Sequence, residues 1–173
     1  YALPILSYNG IPTNAVMGFL NMLYDIYKKM DPEYVAVSFD KSKDTFRSEL
    51  YTDYKSTRKP APPELIPQFD LIREALRTLG AAVYEVAGYE GDDILGTLAV
   101  HYEKEMPVVI VTGDRDALQL SNEQTTVYIT QKGVSRMAAM TPEAICEKYH
   151  ITPRQVIDMK ALMGDTADNI PGV

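Results

Sequence analysis

Eight carboxylates fall into four tight groups in this 173-residue chain, and their types and spacing suit the binding of hard cations. Glu90, Asp92 and Asp93 lie within four residues of "AGYEGDDILGTLA"; Asp114 and Asp116 share "TGDRD"; Asp165 and Asp168 share "GDTADN"; Asp40 follows "YVAVSF". Acids this close repel one another. Protonation relieves the repulsion only through large upward pKa shifts, whereas a divalent cation relieves it directly. Mg²⁺ and Mn²⁺ favour oxygen ligands from carboxylates and water. His101 and His150 are distant in sequence from the acids, and the one cysteine, Cys146, stands apart, so a structural zinc site is not expected. Eight acids exceed what one Mg²⁺ takes from protein. Two ions about 3.5–4 Å apart, as in two-metal phosphoryl chemistry, would use them.

Each group also has a plainer explanation. Asp92 suits the N-cap of a helix beginning at Asp93, and acids in a first turn favour the helix dipole. Asp114 could bond its own backbone in a turn, and "GDTADN" could be a polar loop after a helix ending at Gly164. What favours the joint reading is convergence. Asp40, the Glu90 group and the Asp114 group each follow a predicted strand, and ligands in parallel α/β sheets bind outside the carboxyl ends of strands.

The elements that would position these acids alternate. "TNAVMGFLNMLYDIYKKM" is a helix, with Thr13 as its cap and apolar residues at a 3.6-residue period, stopped by Asp31-Pro32. Residues 34–39 form a buried strand. "PELIPQFDLIREALRTLG" is a second helix ended by Gly80. Residues 82–86 form a strand, "DDILGTLAVHYEKE" a helix, 108–112 a buried strand, and 126–130 a further strand. "TPEAICEKYH" and "PRQVIDMKALMG" are closing helices, the first with Cys146 on its buried face. This order predicts an α/β fold with a mostly parallel sheet and helices on both faces, as one domain over 1–173.

Residues 41–62 differ in character. Lys41, Lys43, Arg47, Lys55, Arg58 and Lys59 outnumber Asp44, Glu49 and Asp53, and Tyr51 and Tyr54 are interleaved. Cations hold phosphates and aromatics stack on unpaired bases, so this segment, starting beside Asp40, suits a phosphodiester substrate. The net charge of −7 argues against a nucleic-acid partner at first sight. Without the eight grouped acids, however, 16 acids face 17 bases, so the acidity is local. One cysteine excludes an internal disulfide and fits a reducing compartment. No run is long enough to span a membrane.

"TNAVMGFLNML", "SFD…TFRSELYTDYKSTR", "GYEGDDILGTLA", "VTGDRDALQL", "TPEAICEKY" and "ALMGDTADNIPGV" resemble, in this order, the 5′-nuclease (5′-3′ exonuclease) domains of bacterial DNA polymerase I, within the flap endonuclease family. The resemblance runs over essentially the whole chain. It implies a PIN-like (Rossmann-like) fold with a helical arch at 41–62. It also implies a structure-specific nuclease that uses two Mg²⁺ or Mn²⁺ ions on DNA with 5′ flaps, nicks or 5′ ends. By motif, Asp40, Glu90, Asp92, Asp93, Asp114, Asp116, Asp165 and Asp168 match the family's metal-cluster acids. Lys55 and Arg58 match the arch cations nearest the scissile phosphate, and Arg47, Tyr54 and Lys59 fall in the same DNA-binding segment. Tyr1 resembles an aromatic near the substrate face.

The family opens with an Asp-bearing strand and continues into a helix-hairpin-helix segment. The chain is therefore expected to be a core incomplete at both ends, and fusion to a polymerase and a cytoplasmic, nucleoid-associated location follow from the same likeness. Gly91 stands where the family has Ala. A PIN-type ribonuclease and a catalytically incomplete DNA-binding domain are the alternatives; a phosphate-receiver domain would leave 41–62 and 164–173 unexplained.

Overall fold

The computed structural model describes residues 7–130 and 137–173; Tyr1 lies outside them. The chain divides into two compact units, one of residues 1–37 and 59–84, the other of 38–58 and 85–173.

In the first unit, β1 (Ser7–Tyr8) and β2 (Ile11–Pro12) pair antiparallel ahead of α1 (Asn14–Met30). α1 ends where Asp31 turns left-handed and Pro32 follows. β3 (Ala36–Ser38) runs from this unit toward Asp40, and β4 (Ala82–Tyr84) pairs with it. α3 (Ile66–Thr78) packs on α1 and buries Ile72 and Leu76. Its Gln68 is 1% exposed, yet fully used. The amide oxygen accepts from Ala15 N (2.7 Å) and Val16 N (3.3 Å), and the nitrogen donates to Asn14 Oδ1 (3.1 Å) and Glu64 O (2.9 Å). Gln68 thus satisfies orphan amides of the first turn of α1 from a neighbouring helix.

In the second unit, α2 (Phe46–Leu50) is a single short helix within the basic segment, and turns follow it. α4 (Gly91–Tyr102) leads to β5 (Val108–Thr112), a 3₁₀ helix (Arg115–Leu120) and β6 (Thr125–Thr130). β7 (Met137–Met140), α5 (Pro142–Tyr149) and α6 (Gln155–Met163) close the chain. β5 and β6 pair in parallel from Val108↔Thr125 to Thr112↔Ile129; β7 adds to β6 antiparallel. β6 alternates, burying Thr125, Val127 and Ile129, as a half-buried strand does. Ile110, Val127, Ile129, Ile145 and Val156 form the core with Ala99, Leu118 and Met140.

Several expectations shift. The strand 108–112, expected to be buried, lies at the edge of its sheet, and Val109 is 47% exposed. Cys146 is exposed because Ile145, one helical step of about 100° away, takes the core position. β7 was not foreseen; "MAAM" carries no β-branched residue, and its pairing with β6 makes it a strand. No described helix is long and apolar enough to cross a membrane.

Candidate functional site

All eight grouped acids lie in the second unit. Six of them, Glu90, Asp92, Asp93, Asp114, Asp116 and Asp168, line one cavity of about 710 Å³ together with Arg47, Tyr54 and Lys55.

The start of α4 sets the first group. Glu90, not Asp92, is the N-cap residue, and its N–H donates to Asp93 Oδ2 (2.9 Å). Asp93 sits at N3, where an acid answers the cap's amide. Capping therefore occupies Asp93 and leaves Asp92, the expected cap, outside the motif. Asp40 reaches this turn through Oδ1, which accepts from Gly91 N at 2.6 Å. Asp114 caps the 3₁₀ helix, its Oδ1 accepting from Asp116 N (2.9 Å). The turn explanation for Asp114 thus holds alongside its place in the cavity.

The last group rides on a closed loop. Asp165 and Ile170 exchange backbone hydrogen bonds in both directions (2.8 Å each). Asp165 Oδ1 accepts from Ala167 N (2.9 Å) and Asp168 N (3.2 Å). Gly164 has φ +70°, and a Cβ there would stand 2.4 Å from Gly172 N. Only glycine permits both the conformation and the close passage of the loop's two ends.

Cations answer the repulsion. Arg47 grips Asp93 with two bonds of 2.7 Å each. Lys55 Nζ is 2.8 Å from both Glu90 oxygens, and Tyr54 Oη donates to Glu90 Oε2 at 3.1 Å. Arg58 pairs with Asp168 and donates through Nε to Ala167 O at 3.3 Å. Lys160, on α6, bridges Asp116 Oδ1 (2.9 Å) and Asp165 Oδ2 (2.6 Å). Lys55 holds its backbone in the left-handed region (φ +55°), and its N–H donates to Asp168 O at 2.9 Å. For a residue with a side chain this conformation is uncommon and costly, and such strain concentrates at functional positions.

The charge balance shows in the titration behaviour. Hydrogen bonding from Arg47 holds Asp93 below the usual carboxylate range, and Lys160 does the same to Asp165. Asp92 moves the other way. Loss of hydration, then the charges of Asp114 and Asp40, push it up to about 6. Burial, then the Glu90 charge, raises Tyr54 and keeps it a phenol.

Among the described residues no three His, Cys, Asp or Glu side chains stand in a ready-made coordination geometry. Ion pairs hold five of the acids: Glu90, Asp93 and Asp168 singly, and Asp116 and Asp165 through the shared Lys160. The donor chemistry nevertheless fits a hard divalent cation. All the donors are carboxylate oxygens, and Asp92 is raised first by burial and then by the charges of Asp114 and Asp40. Lys59 is exposed and belongs to the other unit. Lys160 escaped the sequence reading, because a lysine in the last turn of a helix is ordinary. His101, farther along α4, and Lys104, just past its end, were also missed and line the same cavity.

Residues 1–150 match the profile of the family described as 5′-3′ exonuclease, N-terminal resolvase-like domain. DNA polymerase I of Bacillus caldotenax is 49% identical over 175 residues, which cover all of this chain and 20% of that protein. DNA polymerase I of Mycobacterium leprae is 46% identical over 177 residues, all of this chain and 19% of that protein. The chain thus spans about a fifth of the length of these curated relatives. Among solved structures, T5 5′-exonuclease with divalent metal ions (zinc) bound superposes with a TM-score of 0.74 at 22% identity, covering 95% of this chain and 64% of that one. The catalytic core of Rad2 in complex with DNA substrate gives 0.58 at 17% identity, covering 98% of this chain and 51% of that one. These two likenesses concern the fold, and they bear out the PIN-like α/β expectation.

Proposed function

The chain belongs to the 5′-3′ exonuclease, N-terminal resolvase-like domain family, and from that premise we propose that it hydrolyses DNA phosphodiesters at 5′ ends, nicks and 5′ flaps with two divalent cations, Mg²⁺ or Mn²⁺. The observation that carries this is the gathering of six carboxylates and the cations of residues 47–55 around one cavity.

Asp40, Asp92 and Asp114 with Glu90 would hold one ion, and Asp116, Asp165 and Asp168 would hold or tune the second. Cations there would supply Lewis-acid charge and lower the pKa of water at the site. The chain's own cations do the rest. Lys55 and Arg58, now paired with Glu90 and Asp168, exchange those carboxylates for phosphate oxygens when DNA enters. Both hold positive charge where negative charge grows in the transition state. Arg47 keeps Asp93 oriented, and the Tyr54 hydroxyl steadies Glu90. In this reading residues 41–62 form the arch over the 5′ strand. The domain works joined to a polymerase in the cytoplasm, at the nucleoid, a reading supported by the length and name of its relatives.

The test is cleavage of a fluorescent 5′-flap DNA duplex by the protein. Cleavage with Mg²⁺ that stops on chelation is expected. An intact DNA flap beside a cut RNA flap would favour the ribonuclease alternative.

A further inference from the structure

The cavity does not end at the acids. Its lining continues along α4 through Thr97, Val100 and His101 and on to Lys104 in the turn that follows the helix, with Gln119 of the 3₁₀ helix also present. Positions 93, 97, 100 and 101 share one helical stripe. At 1.5 Å per residue, His101 lies about 12 Å along the axis from Asp93, and Lys104 follows in the turn past the helix end. The floor between is low and apolar. Gly96 has no side chain, and a Cβ there would already touch Leu120 at 3.5 Å. Val100 is half exposed.

The character changes along this length. Near the mouth of α4 the cavity is crowded with carboxylates. At the far end the charged lining group is Lys104, and the His101 imidazole lines the same stretch. Of the two carboxylates flanking Lys104 in sequence, Glu103 accepts from Asn122 Nδ2 (2.7 Å) and Thr125 Oγ1 (2.8 Å), and neither it nor the exposed Glu105 lines the cavity. Gln119 is fixed by donating from Nε2 to Asp116 O (2.8 Å), which holds its side chain beside the same space.

We propose that this extension is a second phosphate subsite, in which Lys104, with His101 and Gln119, receives a backbone phosphate of the DNA strand a few nucleotides from the bond that is cut. The proposal rests on the nuclease reading above and adds to it the course of the strand past the acids. An apolar floor flanked by a cation suits a sugar-phosphate chain, with sugar and base over Val100 and Leu120 and the phosphate at Lys104.

The experiment measures binding of fluorescein-labelled 5′-flap duplexes by anisotropy, with Ca²⁺ as the divalent ion, for the wild type, Lys104→Ala and Lys104→Arg. One neutral methylphosphonate is placed at successive positions of the cleaved strand. Lys104→Ala should flatten the dependence of log affinity on log salt by about 0.7–0.9, the value of one phosphate contact, and Lys104→Arg should restore it. One methylphosphonate position should weaken the wild type severalfold and leave Lys104→Ala unaffected. Equal salt slopes and equal sensitivity at every position would overturn the subsite. A wild type that binds with this pattern but leaves the flap uncut in Mg²⁺ would sink the nuclease reading and keep the subsite. A wild type that binds no DNA would overturn both.

Discussion

Lys55 Nζ lies 2.8 Å from each oxygen of the Glu90 carboxylate, so a lysine of the basic segment and an acid at the cap of α4 neutralise each other. Arg47–Asp93 and Arg58–Asp168 are paired in the same way. A site that must bind cations and a polyanion together needs both charges at hand. Pairing them with each other avoids leaving either desolvated and alone.

Lys55→Ala should lower the single-turnover rate of flap cleavage by about 10²-fold, the scale of losing one donor to a developing negative charge. DNA affinity should fall much less, since one phosphate contact among many is lost. Quenched-flow cleavage beside anisotropy separates the two. An unchanged single-turnover rate would remove Lys55 from the chemistry.

Asp92 makes the site pH-dependent. Its folded pKa, about 6, lies above the ordinary 3.8, so the folded state binds this proton more tightly than the unfolded chain. Ionising Asp92 therefore costs the metal-free fold some stability. The cost is present above about pH 6 and disappears as pH falls from about 6 toward 4. Metal must displace this proton below pH 6. Mn²⁺ measured by calorimetry should bind more weakly at pH 5.5 than at pH 7.5, and should raise the melting temperature more at the higher pH. Asp92→Asn should stabilise the metal-free protein at pH 7.5. Destabilisation by that variant would show that the crowding is not felt.

Two glycines should respond in opposite ways. Gly164→Ala puts a Cβ 2.4 Å from the backbone of Gly172 at positive φ, and should cost about 2–3 kcal/mol in urea denaturation while loosening Asp165 and Asp168. Gly91→Ala meets only ordinary contacts, 3.4 Å to Asp40 Oδ1 being the nearest, and should stabilise by up to about 1 kcal/mol. Equal effects at the two positions would contradict the description of the 164–172 loop.

Much of the site was legible because its acids sit at the ends of strands or helices that carry strong patterns. Asp40 and Asp114 follow apolar strands, and the Glu90 group opens a helix whose Ile94 and Ala99 are buried. What the pattern could not resolve was which acid caps and which stays available, because Glu90, Asp92 and Asp93 are chemically alike and differ by one helical step. The partners of the acids were also hidden. Lys160 meets Asp116 across 44 residues of sequence, and nothing local announces that contact. His101 carried a readable signal, since it shares the stripe of Asp93 and Thr97, and Lys104 follows just past the helix end. Their distance in sequence from the acids concealed it.

The central claim is that the carboxylates gathered at this cavity support metal-dependent cleavage of DNA. The most direct measurement is the single-turnover rate of 5′-flap cleavage in Mg²⁺ by Asp114→Ala against the wild type, with circular dichroism confirming that both are folded. A fall of at least about 10²-fold is predicted, because Asp114 touches both the 3₁₀ helix and the crowded charge at Asp92. A folded Asp114→Ala protein that cuts at the wild-type rate would contradict the account.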